Sequence, residues 1–342
     1  MNGVPRAWAG TPAGAPRRRV LVLRALGLGD LLAGVPALRG LRRAFPGDHV
    51  VLALPPALRE AALTTGAVDE ILPAEAPGRG VPDLTHWTGP PPDLAVDLHG
   101  NGPASRDALA ALRPHRLLAF ADGTPVWRAD EHERQRWCRF LAAHGIPADP
   151  DDLRLPPPGT PSPAPGAVVV HPGAESAARR WPAGRYAAVA RHLGAAGHRV
   201  VLTGGPREDA LVAEVAERAG VPPWDRWPGG LSFARLSALV AHAALLISGD
   251  TGLAHLAVAH GTPSVTLFGP VPPRLWGPPP LHRHIALYTP GPPGDPHGGT
   301  PDPCLLRIGT HEVVVAAGSL LPAPHPTRAE QREPASGTRA RP

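Results

Sequence analysis

The residues with most chemistry to offer lie within 246–257, Leu-Ile-Ser-Gly-Asp-Thr-Gly-Leu-Ala-His-Leu-Ala. The pattern predicts a buried strand over 244–248, a turn at Gly249-Asp250-Thr251, a short helix closed by Gly261 and a second strand over 264–268. In an open parallel sheet such a turn lies at the carboxyl end of its strand, where ligands bind. Asp250 or Thr251 can cap the helix, and the N–H groups of Thr251, Gly252 and Leu253 then point outward without intrahelical partners. Those donors make an anion site. Gly252 lacks a Cβ, so an anionic group can approach the backbone there, and His255, one turn on, faces the same end. The same residues equally fit a plain capped turn with a structural histidine.

A second carboxylate, Asp30, ends Ala-Leu-Gly-Leu-Gly-Asp, directly after the apolar run at 19–24. Gly27 and Gly29 suggest a dinucleotide fingerprint, but the next glycine is Gly34, so the G-x-G-x-x-G spacing is not met. From position alone Asp30 is a helix N-cap. Arg179 and Arg180 precede Trp181-Pro182 at another helix start, where a solvated pair is the plain reading. Glu208, after Gly204-Gly205-Pro206-Arg207, is a favourable first-turn glutamate. The two cysteines, Cys138 and Cys304, are too far apart to suggest a disulfide framework or a Cys-based zinc site. Asp149 and Asp151 form an Asp-x-Asp within a proline-rich stretch and make a poor metal site.

Positioning such residues requires a regular scaffold, and the chain supplies one. Strands are expected at 19–24, 50–54, 68–72, 93–97 and 116–120, with helices after Asp30 and over 56–65, 103–112 and 129–144. The last of these helices should carry Glu131, Glu133, Arg134, Arg136 and Arg139 outward. Residues 147–165 contain Pro-Pro-Pro-Gly-Thr-Pro-Ser-Pro-Ala-Pro and read as a solvated interdomain linker. A second alternating series follows: strand 167–170, a helix from Pro182, strand 199–203, a helix to Ala219, a helix over 231–242 and the stretch described first. Residues 270–303 read as a Pro/Gly-rich loop and 310–320 as a last helix. Strands alternating with helices imply parallel sheets covered on both faces. The fold class is therefore α/β, in two domains, 19–146 and 166–303, with a helical segment at 304–321 that should pack back on the first domain. Residues 1–18 and 322–342 read as disordered tails.

The chain has 342 residues, enough for two ordinary cores. It lacks a run of eighteen apolar residues and a signal-type leader, which predicts a cytoplasmic protein. Its positive charge comes from arginine alone; with 48 prolines and 39 glycines this is the codon bias of a GC-rich genome. The formal charge of +5 is modest and the arginines gather at the chain ends, so nucleic acid is not an expected partner. An anionic substrate or an anionic membrane surface fits the balance better.

The chain resembles the heptosyltransferase family, glycosyltransferases of the GT-B fold, in which two Rossmann-like domains face each other across a cleft. The resemblance spans about 19–320 and rests on Gly29-Asp30, His171-Pro172-Gly173 with Arg179-Arg180-Trp181-Pro182, Gly204-Gly205-Pro206-Arg207-Glu208, Asp250 through Ala257, Leu267-Phe268-Gly269-Pro270 and Asp302-Pro303-Cys304-Leu305, in the family's order. Arg179 stands where the family usually has lysine, and Arg116-Leu117-Leu118-Ala119-Phe120 replaces an Arg-Ile-Gly-Phe/Tyr motif in the acceptor domain. The resemblance implies inverting, metal-independent transfer of a heptose or related sugar from a nucleotide-sugar donor such as ADP-heptose. The acceptor would be a glycan, glycolipid or small molecule, with lipopolysaccharide core biosynthesis as the setting and peripheral contact with the inner membrane surface allowed. Asp30 takes the role of base and Arg179 of leaving-group stabiliser. Gly29, Arg180, Glu208, Asp250, Thr251, Gly252, Leu253 and His255 form the donor site, with Glu208 on the ribose and Asp250 orienting the turn or the sugar. His171 fits a structural or a ligand-facing role. No cofactor or metal is implied. A nucleotide-sugar 2-epimerase and a non-catalytic nucleotide-sugar-binding protein are the competing expectations.

Overall fold

The computed structural model describes residues 17–120, 125–292 and 294–322. The expected tails lie almost wholly outside them; within them, Arg18 pairs with Asp48 at 3.0 Å.

The first half runs β1 (Arg19–Leu23), α1 (Leu28–Ala44), β2 (His49–Leu54), α2 (Arg59–Thr64), β3 (Glu70–Pro73), β4 (Leu94–Asp97), α3 (Pro103–Ala110), β5 (Leu117–Leu118) and α4 (Glu133–Ala143). Its strands form one parallel sheet ordered β3-β2-β1-β4-β5. The second half runs β6 (Val168–His171), α5 (Ala183–Ala195), β7 (Val200–Gly204), α6 (Asp209–Ala219), β8 (Arg226–Pro228), α7 (Phe233–Ala241), β9 (Leu245–Gly249), α8 (Gly252–His260), β10 (Ser264–Leu267), α9 (Pro273–Trp276), β11 (His284–Leu287), α10 (Pro303–Leu306) and α11 (Thr310–Leu320). Its strands form a second parallel sheet ordered β11-β10-β9-β6-β7-β8.

Helices cover both faces of each sheet, so the central strands are nearly continuous apolar runs, as in Arg19-Val-Leu-Val-Leu and Val168-Val-Val. Strand order reverses between β1 and β4 in one sheet and between β6 and β9 in the other. Ligands gather beyond the carboxyl ends of strands at such reversals. β1 leads into Asp30, β6 into His171-Pro172-Gly173 and β9 into Asp250-Thr251, so the motif-bearing turns sit where this rule expects chemistry.

The halves meet along α1 and α8. Leu32 and Val35 of α1 share one apolar cluster with Leu253, Leu256 and Ala257 of α8 and with Leu155. Residues 147–165 are correspondingly less solvated than their composition suggests. Leu153, Leu155 and Ala164 are buried, the Leu155 N–H donates to the Ala259 carbonyl, and Asp152 receives Arg39 and Arg43 at 2.6 Å each.

Three other expectations are corrected, and one edge strand was not anticipated. α11 packs on the second sheet, not the first: Val313, Ala316 and Ala317 join the cluster of Val189, Val265 and Leu267. Residues 270–303 include the edge strand β11 and short helices, and Arg226-Trp227-Pro228 forms the opposite edge strand β8. On α4 the charges at 133, 134 and 136 are buried rather than outward. Glu133 compensates Arg136 and, from outside the helix, the buried Arg24, accepting from Arg24 at 3.0 Å and from Arg136.

Candidate active site

Asp30 is the third residue of α1 and only 5% exposed. Its Oδ2 accepts the Gly27 N–H at 3.1 Å, closing the first turn. The backbone beneath is pinned by Arg24, a fully buried guanidinium: its Nε donates to the Asp30 carbonyl at 2.7 Å and its Nη1 to the Leu98 carbonyl at 2.6 Å. Its Nη2 reaches Glu133, which also accepts the Trp137 indole N–H at 2.6 Å. Both carboxylate oxygens of Asp30 receive Arg79, Oδ1 from Nη2 at 2.7 Å and Oδ2 from Nη1 at 3.0 Å. Burial pushes the Asp30 carboxyl up, but the Arg79 hydrogen bonds, the Arg24 and Arg79 charges and the Gly27 N–H outweigh it and hold it below the usual carboxylate range.

Across the cleft, Thr251 occupies the N-cap position of α8, yet among the described residues no side chain caps the helix and the buried Thr251 Oγ1 has no partner. The first-turn N–H groups therefore stay available to a ligand. Arg179 lines the same space; its Nη1 lies 3.9 Å from Asp250 Oδ2 and its buried Nε has no partner among the described residues. Burial raises the Asp250 carboxyl to about 6, with Arg179 opposing and Asp30 adding to the shift. Burial pushes His255 down to about 4, so near pH 7 the ring is neutral and its 3.9 Å approach to Asp250 is not an ion pair. The His255 ring also stands edge-on to Trp276, with centroids 5.9 Å apart.

These groups surround a cavity of 390 Å³ whose walls come from both halves: Gly29, Asp30 and Arg79 on one side, Arg179, Thr251 and His255 on the other. It shares Leu28, Glu175, Thr251 and Gly252 with a second cavity of 380 Å³ over the carboxyl ends of β6 and β7. There His171, Glu208, Leu253, Trp227 and Leu236 form the lining. Glu208 Oε2 accepts the Gly205 N–H at 2.6 Å, and its carboxyl lies over Gly173, where a Cβ would come within 1.8 Å of it. That contact explains a glycine in His171-Pro172-Gly173. His171 ties β6 to β7 through Nδ1, 3.1 Å from the Thr203 carbonyl and 3.2 Å from its hydroxyl.

The structure thus brings together Gly29, Asp30, Arg179, Asp250, Thr251, Gly252 and His255, with Glu208 and Leu253 in the adjoining cavity. Arg180 is not among them; its Nε donates to the Ala174 carbonyl at 2.9 Å and it lines neither cavity. Sequence reasoning missed Arg79, Glu175, Trp276 and His297. Arg79 carried one signal, the Gly78-Arg79-Gly80 triplet, whose flanking glycines permit an unusual backbone.

Residues 121–290 match the family model of "Glycosyltransferase family 9 (heptosyltransferase)". A lipopolysaccharide heptosyltransferase 3 of Escherichia coli is 39% identical over 113 residues, 32% of this chain and 33% of that one. The chain thus aligns with about a third of the length of the first curated relatives it matches. The lipopolysaccharide heptosyltransferase 1 of Pseudomonas aeruginosa aligns over 76% of this chain and 81% of its own at 29% identity. In fold, a glycosyltransferase family 9 protein from Veillonella parvula superposes with a TM-score of 0.68 at 21% identity, covering 89% of this chain and 97% of that one. The E. coli heptosyltransferase WaaC, solved with ADP, superposes with a TM-score of 0.67 at 18% identity, covering 88% and 99%. The two parallel sheets, the ordered motifs and these likenesses agree: the chain carries a glycosyltransferase family 9 (heptosyltransferase) domain over residues 121–290 and has the fold of the heptosyltransferases it superposes on.

Proposed function

We propose that this protein is an inverting glycosyltransferase that moves a heptose or related sugar from an ADP-linked donor to an acceptor hydroxyl. The observation that carries the reading is one cavity with a buried carboxylate, Asp30, on one wall and a helix N-terminus with a partly unpartnered arginine, Arg179, on the other. Glycosyl transfer needs both a base for the acceptor proton and stabilisation of the charge that develops on the departing diphosphate. The acceptor O–H gives its proton to Asp30 as its oxygen bonds to the anomeric carbon. The carbon–oxygen bond to the diphosphate breaks on the opposite face, its electron pair leaving with the phosphate. The diphosphate meets the Gly252 and Leu253 N–H groups and the Arg179 guanidinium. The second cavity suits the nucleoside, with Glu208 Oε1 for the ribose hydroxyls and Trp227, Leu236 and Leu253 for the base. ADP as the nucleotide is supported by WaaC, which was solved with it.

Arg179 and the helix terminus supply the positive charge here, and among the described residues no group of three or more His, Cys, Asp or Glu is placed to hold a metal. Transfer should therefore persist in EDTA. No helix of the described residues is long and apolar enough to cross a membrane. We place the protein in the cytoplasm, with peripheral contact with the inner membrane surface where the acceptor is a glycolipid.

The test is incubation with a panel of nucleotide sugars, read by mass spectrometry. ADP-heptose should be slowly hydrolysed alone and consumed faster with a glycan or glycolipid acceptor. If no nucleotide sugar is consumed while nucleoside diphosphate still binds, the protein is a binder and not a transferase.

A further inference from the structure

Asp30 is doubly engaged. The two Arg79 contacts and the Gly27 N–H occupy three of its acceptor positions, and only one of its charged neighbours is in a position to leave. The groups facing it are Arg24 and Arg79 from its own half, His99 beyond β4, and Asp250 and His255 from the other half. Arg24 is buried and held by Leu98 and Glu133 as well. Arg79 instead belongs to a short surface turn, 77–80, with its side chain 27% exposed. That turn is strained: Arg79 itself has φ 61°, a left-handed conformation unfavourable for a residue with a Cβ, directly after Gly78 at φ 60°. Arg79 also has a second carboxylate within reach. Its Nη1 lies 3.8 Å from Oε2 of Glu175, an exposed residue of the opposite half shared by both cavities.

We propose that Arg79 is a positioning residue that latches Asp30 in the resting enzyme and releases it by transferring to Glu175 across the cleft. The proposal rests on the glycosyltransferase reading above. A carboxylate clamped by a guanidinium fork is a weak base, and general-base catalysis is most effective when the group's pKa approaches the working pH. With Arg79 on Glu175, the carboxyl of Asp30 keeps its burial and loses its strongest partner, so its proton affinity rises. The exchange also closes the cleft, since it swaps a contact within one half for one between halves. In the latched state the donor sits beside a poor base and is protected from attack by water.

The experiment compares the parent with Arg79→Gln, Arg79→Lys, Glu175→Gln and Arg79→Gln/Glu175→Gln. The Asp30 carboxyl is titrated by ¹³C NMR, with Asp30→Asn to assign it; this readout needs no turnover. In Arg79→Gln the Asp30 midpoint should rise by about one pH unit or more, and Arg79→Lys should restore most of the parent value. The acid limb of kcat for transfer should rise with it, and donor hydrolysis without acceptor should increase severalfold. Glu175→Gln should lower kcat about fivefold or more at unchanged donor KM, and this effect should vanish in the double variant. An unchanged Asp30 midpoint in folded Arg79→Gln, or a Glu175→Gln effect of equal size with and without Arg79, overturns the latch. A parent that consumes no donor overturns the transferase reading, while the titration still decides whether Arg79 controls Asp30.

Discussion

In Asp30 one carboxyl group caps α1, pairs with Arg79 and, in the proposed reaction, takes the acceptor proton. The first role survives a change to asparagine, whose carbonyl oxygen still accepts the Gly27 N–H, and the last does not. Asp30→Asn should therefore fold, bind nucleoside diphosphate like the parent, and lose about two orders of magnitude or more in kcat. Unchanged turnover per folded molecule with a lowered melting temperature would reduce Asp30 to a helix cap. Most of the site was readable in the sequence because each residue lies in the turn or first helical turn that follows a strand: Asp30 after β1, Asp250 through Gly252 after β9, Glu208 after β7. Arg79 was not. It sits among prolines and glycines between β3 and β4, where no periodicity fixes direction, and its partner is 49 residues away. Arg180 shows the converse: its motif neighbours reach the site, but a local bond to the Ala174 carbonyl turns its side chain away.

At the scale of elements, the site depends on how closely α1 and α8 cross. A Cβ on Gly252 would stand 2.9 Å from Leu28 Cβ, and one on Gly29 would stand 3.0 Å from His255 Cδ2. The glycine of Asp250-Thr251-Gly252 is therefore required by the opposite half as well as by any phosphate. Gly252→Ala should force the halves apart and weaken nucleoside diphosphate binding by about tenfold, or 1.4 kcal/mol. Leu28→Gly removes the colliding atom, so calorimetry on Leu28→Gly/Gly252→Ala should recover most of the loss; no recovery would place the obstruction on the ligand itself. The central elements of both sheets are legible because strands buried on both faces are unmistakable apolar runs. The edges are not. β8 and β11 lie among prolines, and Arg226-Trp-Pro has no alternation to announce it. The packing of α11 escaped for another reason: an amphipathic helix shows which face is apolar but not which sheet will cover it, and here it covers the one nearest in sequence.

Across the whole molecule, burial has left several histidines neutral, and that sets how stability responds to acid. His255, His260 and His284 are each pushed down to about 4, chiefly by burial. Hydrogen bonds to Ser237 and Ser264 hold the latter two rings, at 2.8 and 2.9 Å. Asp250 moves the other way, up to about 6. Between pH 4 and 6.5 the unfolded chain carries protons on the three histidines that the folded chain refuses, while folded Asp250 holds one that the unfolded chain gives up. The sign follows from linkage: each histidine contributes stability that is lost as pH falls toward its folded pKa, and Asp250 contributes stability that is lost as pH rises toward 6. The histidines outnumber the two aspartates whose carboxyls burial raises, Asp250 and Asp97, and the lowered values of His99, His132, His144 and His171 act in the same direction as the three. Stability should therefore climb from pH 4 to 6.5 and flatten above it, with unfolding near pH 5 taking up about two protons or more. Calorimetric unfolding in buffers of different ionisation enthalpy measures that uptake directly. The variant His260→Gln/His284→Gln should lose about two of those protons while leaving the cleft intact, because neither residue lines the two cavities of the candidate site. A parent whose stability is flat or falling across this window, or a double variant with the parent's uptake, would show that the buried histidines are not what couples this fold to pH.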